Sequence, residues 1–329
     1  MNRREFMSLF GALGAVYALG ARVRAEEGPR RVGLLVGMTN DAEGKARVAA
    51  FKQALGRLGW TAGKNLQLDI RWSSGDPNRI EAYGKELIGL APDVLVSASL
   101  PVTASLQRRT RSIPIVFLVV PDPVRNGIVA NQAKPEANLT GFATFEFSMG
   151  AKWLEVLREI APDVARVGLL FDPAATPRAR RYISAIEDAA RPSGTALENL
   201  AVCNDAEIER AVAHLASKAR SGLIILPDNT MVRHRHLIAS LAARHGVPAV
   251  YPYRYFAQSG GLVSYGIDTV DLYSQAATYV DRILRGAKPA DLPVQESSKF
   301  EMVINLKAAQ VLGLDIPPTL IARADEVVA

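Results

Sequence analysis

Short, unbroken apolar runs bounded by Gly, Pro or Asp punctuate this chain at residues 32–37, 93–97 and 115–120, and again at 167–171, 223–226 and 248–251. Runs of four to eight residues without polar alternation predict strands buried on both faces, as in a parallel sheet. Between them the period changes. Val48, Phe51, Leu55 and Leu58 recur at three- and four-residue spacing, which places them on one face of a helix. After the run at 167–171, Thr176-Pro177 offers a cap followed by a proline that the first helical turn tolerates. A further helix is predicted over 270–285. Alternating strands and helices predict an α/β fold with open, doubly wound parallel sheets.

The pattern occurs twice. Arg31-Val-Gly-Leu-Leu35 returns as Arg166-Val-Gly-Leu-Leu170, and the later runs and the glycine turns at Gly127 and Gly260-Gly261 follow in the same order, at offsets of 135, 128, 134 and 133 residues. That period exceeds the roughly 20–50 residues of a solenoid unit and matches a whole domain. Two equivalent lobes meeting across a cleft are therefore expected, and clefts between domains are where small ligands bind. The join near residues 141–148 is short, so a hinge is expected in place of a flexible tether. The predicted boundaries are 1–25 for an N-terminal signal, 26–144 plus about 268–292 for the first lobe, and 145–267 plus about 293–329 for the second.

The N-terminus changes the picture of where the protein works. Asn2-Arg-Arg-Glu-Phe-Met7 precedes an uncharged stretch to Ala21, and Val23-Arg-Ala25 supplies small residues for a cut after Ala25. This is the layout of a signal peptide, and its Arg-Arg-x-Phe-Met order resembles a twin-arginine signal, with a Sec signal as the other reading. Export to the periplasm is expected. Setting aside the four arginines and one glutamate of residues 1–25 lowers the net charge from +6 to +3, and no Lys/Arg block is interleaved with aromatics, so nucleic acid is not an expected partner. With 49% hydrophobic and 22% charged residues the chain can bury a sizeable core. Cys203 is the only cysteine, which excludes an intramolecular disulfide.

In open parallel sheets ligands bind beyond the carboxyl ends of the strands. The loops there carry Thr39 and Asn40, Ser97, Ser99 and Thr103, Asp122, Asp172, and Asp228 and Asn229. Their side chains suit a polar solute, and the helix opening over Ser97 to Thr103 suits a carboxylate or another anion. Helix capping by Ser99 or Thr103 and turn formation by the aspartates are the structural alternatives. Phe145, Tyr251 and Tyr253 offer an aromatic wall, with core or hinge packing as the alternative. No Gly-x-Gly-x-x-Gly, Walker A loop or Gly-x-Ser-x-Gly elbow is present, and His234-Arg-His236 has no partners that would complete a metal site. Neither a catalytic set, a cofactor nor a metal is expected.

Several ordered motifs carry a resemblance: Pro121-Asp-Pro-Val124, Asn138-Leu-Thr-Gly-Phe142, Pro227-Asp-Asn-Thr230, Ser264-Tyr-Gly-Ile-Asp268, Leu284-Arg-Gly-Ala-Lys-Pro-Ala-Asp-Leu-Pro293 and the stretch from Lys299 through Val327. From about Arg31 to Val327 the chain resembles the ABC-transporter substrate-binding proteins that include tryptophan- and tyrosine-binding members. The resemblance implies a type I periplasmic binding protein: two Rossmann-like lobes, three crossovers, a monomer, and a ligand trapped in the cleft. It places the family's Asp-Asn-Thr pattern on Asp228, Asn229 and Thr230. Pro121 stands where threonine is common, and Met38-Thr-Asn-Asp-Ala-Glu43 departs from the loop of aromatic amino-acid binders, so ligand identity does not carry over. The expectation is an importer component that delivers a small polar or aromatic solute, amino-acid-like or an aromatic acid, to a permease and its ATPase. A periplasmic sensor feeding a receptor or kinase, or an exported α/β enzyme, are the alternatives.

Overall fold

The computed structural model describes residues 28–329 apart from 136, 145–146, 176–178 and 298. The signal segment, the Thr176-Pro177 cap and Phe145 lie outside the described residues. No helix among the described residues is long and apolar enough to cross a membrane.

The first half forms β1 (Arg30–Val36), β2 (Leu66–Trp72), β3 (Val94–Ala98), β4 (Ile115–Pro121) and β5 (Leu139–Thr144); the second forms β6 (Arg166–Phe171), β7 (Ala196–Ala201), β8 (Ser221–Ile225), β9 (Ala249–Tyr251) and β10 (Val263–Ile267). The last strands are β11 (Gln295–Glu296), β12 (Phe300–Asn305) and β13 (Glu326–Val328). The first sheet runs β11-β5-β4-β3-β1-β2 and the second β13-β12-β10-β9-β8-β6-β7. The core of each sheet therefore has the order 2-1-3-4-5, parallel throughout, and only β12 runs antiparallel to its neighbour β10.

The repeated pentapeptide occupies β1 and β6, the strands at which the order reverses in each sheet. Its glycine does the same work in both copies. A Cβ on Gly33 would lie 2.9 Å from Leu95, and one on Gly168 would lie 2.6 Å from Leu200 and 2.7 Å from Leu215, so the bare backbone admits the leucines that pack over it. Strands β2 and β7 are absent from the sequence expectation because they are edges: most of their residues are half-buried or exposed, with polar positions mixed in, so neither reads as an apolar run.

The chain passes between the sheets three times: after β5, between β10 and helix Thr269–Leu284, and between β11 and β12. That helix packs against helix Ala42–Arg57 of the first lobe. Trp60 Nε1 donates to Asp281 at 2.8 Å and Arg285 to the Leu58 carbonyl at 3.0 Å, fixing the pair. The third passage differs from the expected boundary at 292–293. Gln295 and Glu296 still pair with Phe142 and Ala143, so the chain leaves the first sheet only after Glu296.

Candidate functional site

The carboxyl ends of both sheets face one another across the cleft, and the loops there are strained. Ser99 (φ 134°), Val119 (φ 55°) and Asp122 (φ 41°) hold positive φ without being glycine. Such backbone costs on the order of 1–3 kcal/mol per residue and persists where the surroundings over-determine it, most often at binding sites. Gly37 contributes by lacking a side chain: a Cβ there would lie 2.5 Å from Ser99 Oγ and 2.7 Å from the Ala98 carbonyl.

A deep recess of about 40 Å³ lies in the cleft. The first lobe lines it with Gly37, Met38, Arg47, Ala98, Ser99, Val119 and Tyr273, and the second with Asn229, Val232, Tyr253 and Tyr255. Arg47 is its dominant polar group. The guanidinium is buried, pairs through Nε with Glu43 at 3.0 Å, and reaches Met38 Sδ at 3.3 Å through Nη1. Its carbon sits 5.3 Å from the centroid of Tyr255. Burial works against its charge, but Tyr255 and Glu43 outweigh it and raise the pKa above the ordinary value. Burial also pushes the Tyr273 hydroxyl up to about 12, so it stays a neutral donor. Tyr253 stacks on Tyr255 at 5.2 Å and Tyr255 on Phe256 at 5.5 Å, making a continuous aromatic wall.

A larger recess of about 340 Å³ opens beside the crossovers, lined by Asp122, Arg125, Gln132, Ala143, Thr144, Phe147, Arg181, Glu296 and Ser297. The buried Tyr182 hydroxyl is in electrostatic reach of Tyr253 on one side and of Arg181 and Asp122 on the other. Arg47 Nη2 and Ser99 Oγ at the deep recess and Thr144 Oγ1 at the larger one are buried without a hydrogen bond of ordinary geometry, as is the Tyr182 hydroxyl, whose ring packs against Phe147 and Trp153. Each such group costs about 1–3 kcal/mol relative to a satisfied one, and a ligand can return it.

Two ion pairs tie the lobes together. Arg235 of the second lobe meets Asp41 of the first at 3.0 Å, and Arg181 meets Asp122 at 2.6 Å while lying 3.9 Å over the Phe147 ring. Burial alone would raise the Asp41 pKa, but the Gly44 N–H, the Thr39 hydroxyl and Arg235 hold it below the usual carboxylate value. Replacing Arg235 with alanine should favour the open arrangement, seen as a larger radius of gyration in X-ray scattering and a roughly threefold weaker ligand affinity, because a partly exposed pair is worth about 0.2–1 kcal/mol. An unchanged scattering profile would show that this pair does not hold the lobes.

The structure sorts the sequence-predicted residues. Ser99, Asn229 and Tyr253 meet at the deep recess, and Asp122 borders the larger one. Thr39 is exposed and donates to Asp41 at 2.8 Å, bracing an interlobe pair, while Asn40 is exposed outside both recesses. Ser97 and Thr103 are spent on each other at 2.8 Å inside the first lobe. Asp228 caps helix Asn229–Arg233, accepting from Met231 N at 2.7 Å and Asp172 N at 3.0 Å. Asp172 in turn accepts from Thr230 at 2.6 Å. These carboxylates hold the Asn229 loop and line neither recess. Tyr251 is buried against Phe256 at 5.1 Å and lines neither. His234 pairs with Asp205 at 2.5 Å, and among the described residues no three His, Cys, Asp or Glu side chains could hold a metal.

Arg47, Tyr182, Arg235 and Tyr273 are the residues that the loop-by-loop reading missed, whereas Tyr255 belongs to the aromatic run after the strand at 248–251. A signal for Arg47 was present: it falls four residues before Phe51 and three after Gly44, so a charge sits on the buried face of its helix. Such a charge needs a partner or a function.

Two parallel-sheet lobes, three crossovers and a lined cleft between them define a two-lobed solute-binding protein. The chain belongs to the family of ABC transporter substrate binding proteins, whose model matches residues 31–328. It is 23% identical over 279 residues to a tyrosine-binding protein of Clostridioides difficile, covering 84% of this chain and 80% of that one. Among solved structures, the ABC domain from Streptococcus pneumonia in complex with L-Trp superposes with a TM-score of 0.82 at 25% identity, covering 91% of this chain and 100% of that one. A conserved domain protein from Vibrio cholerae gives 0.82 at 28% identity, covering 91% and 99%.

Proposed function

We propose that this protein is the periplasmic capture component of an ABC importer, closing its lobes on a small polar or aromatic solute and delivering it to a permease and its ATPase. The observation that carries this reading is a recess walled by polar groups of both lobes, with Arg47 and the unpartnered Ser99 hydroxyl from one and Asn229 and Tyr253 from the other. Contacts from both lobes are what closure needs, since a ligand with equal affinity for the open and closed states shifts nothing. The tyrosine-binding relative and the L-Trp complex support a solute with a planar side chain, and the Tyr253-Tyr255-Phe256 stack gives this chain a surface for one. The export-type N-terminus supports delivery from outside the inner membrane.

A thermal-shift screen after an unfolding step that strips retained solute tests the reading. Ligand at 100 times its dissociation constant should add about 2.7 kcal/mol of stability. Amino acids, aromatic acids, sugars and nucleosides form the panel; a hit in one class is expected, and silence across all four would sink solute capture. Once a ligand is in hand, the double substitution Ser99→Ala with Asn229→Ala should weaken it about tenfold, the loss of one to two hydrogen bonds. Unchanged affinity by calorimetry would remove these two residues from the site.

A further inference from the structure

We propose that the solute is a carboxylic acid bearing a planar apolar group and no ammonium, its carboxylate received by Arg47 Nη2 and Ser99 Oγ where helix Leu100–Arg109 begins. The proposal rests on the solute-capture reading and narrows its ligand class.

A guanidinium can only donate hydrogen bonds. Arg47 is 5% exposed, its Nε is taken by Glu43, and its Nη2 is buried on the cleft without a hydrogen bond of ordinary geometry, the Tyr255 hydroxyl lying beside the guanidinium. Ser99 is 9% exposed, also borders the recess, and its Oγ is likewise unpartnered. It precedes a ten-residue helix whose first N–H groups and dipole favour negative charge at the same place. Gly37 keeps that corner clear of a side chain. What fits two neighbouring donors at a helix N-terminus is a planar anion with two acceptor oxygens.

The case against an α-amino acid comes from the carboxylates. Among the described residues, no acidic side chain lines the deep recess. The acids near it are engaged: Glu43 with Arg47, Asp41 with Thr39, the Gly44 N–H and Arg235, and Asp172 and Asp228 with Thr230 and backbone N–H groups. On the larger recess, Asp122 faces Arg181 and Arg125, and Glu296, also engaged, lies on β11. An ammonium placed beside the carboxylate would meet Arg47 with, among the described residues, no uncommitted acid at hand to neutralise it. Tyr253, Tyr255 and Tyr273 suit a ring, and with Met38, Val119 and Val232 beside them the wall offers an amine only the neutral amide of Asn229 and phenol oxygens, with no charged partner. The deep recess of about 40 Å³ takes the carboxylate end, and the tyrosines at its wall meet the ring.

Matched pairs that differ only in the ammonium decide the matter: L-phenylalanine against 3-phenylpropanoate, L-tyrosine against 3-(4-hydroxyphenyl)propanoate, and L-tryptophan against 3-(indol-3-yl)propanoate. Affinities are read by calorimetry on the stripped protein. At least one propanoate should bind tighter than its amino acid by about tenfold or more, the scale of an unpaired charge near a fixed cation. The double variant Glu43→Gln with Arg47→Gln, which leaves no buried lone charge, and the single variant Ser99→Ala should each weaken that acid, the first by roughly 10- to 150-fold. An amino acid that binds as tightly as its propanoate overturns the class and leaves solute capture standing. A sugar or nucleoside hit does the same. Acid affinity unchanged in both variants overturns the Arg47 and Ser99 placement, and no binding by any class fells the inference together with solute capture.

Discussion

Replacing Gly141 with alanine should destabilise the first lobe by about 3 kcal/mol or more, measured by urea unfolding, a value at the severe end for a single methyl group. Gly141 sits in β5 opposite Phe117 of β4 with φ at +155°, and a Cβ there would lie 2.1 Å from the Phe117 carbonyl oxygen and 2.6 Å from its nitrogen. Neither contact is the tip of a flexible side chain, so relief requires separating two paired strands. Gly56 is the control. It is exposed near the end of helix Ala42–Arg57 with nothing within 4 Å of a built Cβ, and alanine there should stabilise by up to about 1 kcal/mol. Equal behaviour of the two variants would show that the close approach at Gly141 is not needed.

The Gly141 contact reaches the site through β4. The register of β4 against β5 slips between Phe117 and Val120, and Val119 within the slip has φ 55°. This irregularity turns Val119 into the deep recess and leads into Asp122, which faces Arg181 of the other lobe. A glycine fifteen residues or more from either side chain thus sets the aim of both. Gly141→Ala should lower ligand affinity even where enough protein remains folded to measure it.

Much of the fold was legible because buried parallel strands are written as apolar runs, and because the chain states them twice. The repeat at Arg31 and Arg166 gave the two lobes, and the order of runs gave the sheet cores. Edge strands β2 and β7 escaped since exposure lets Gln67, Asp69 and Arg71, or Glu198 and Asn199, share the strand with apolar residues. The site was half legible. Loop polarity found Ser99 and Asn229, yet the same rule named Ser97, Thr103, Asp172 and Asp228, whose hydrogen bonds are consumed within the protein. Type and position cannot tell a spent donor from a waiting one; that depends on partners brought from up to 58 residues away. Arg47 and Tyr273 lay on helices, where a search of strand-end loops does not look.

Glu301→Gln should make the protein more stable than wild type at pH 8 and leave the two alike at pH 4. Glu301 lies on β12, just past the third crossover, with its side chain 7% exposed and Oε1 without a partner. Burial pushes its carboxyl up to about 7; Arg254, 3.1 Å away, pulls it down, and Asp268, Glu43 and Asp325 add to the rise. The folded pKa is therefore above the unfolded one, near 4.5. Below about pH 4.5 both states hold the proton and the stabilising contribution is complete. Between there and about pH 7 only the folded state holds it, so stability falls as pH rises, by as much as about 3 kcal/mol once both have lost it. Glutamine keeps the shape and cannot titrate, so the difference between the two melting curves should open across that window and plateau above it. Comparing the variant with wild type also cancels Asp41 and Asp172, whose lowered pKa values act in the opposite sense at more acid pH. A difference that stayed flat from pH 4 to 8 would mean that Glu301 is charged throughout and that Arg254, which also bonds Glu326, carries more of the local balance than burial does.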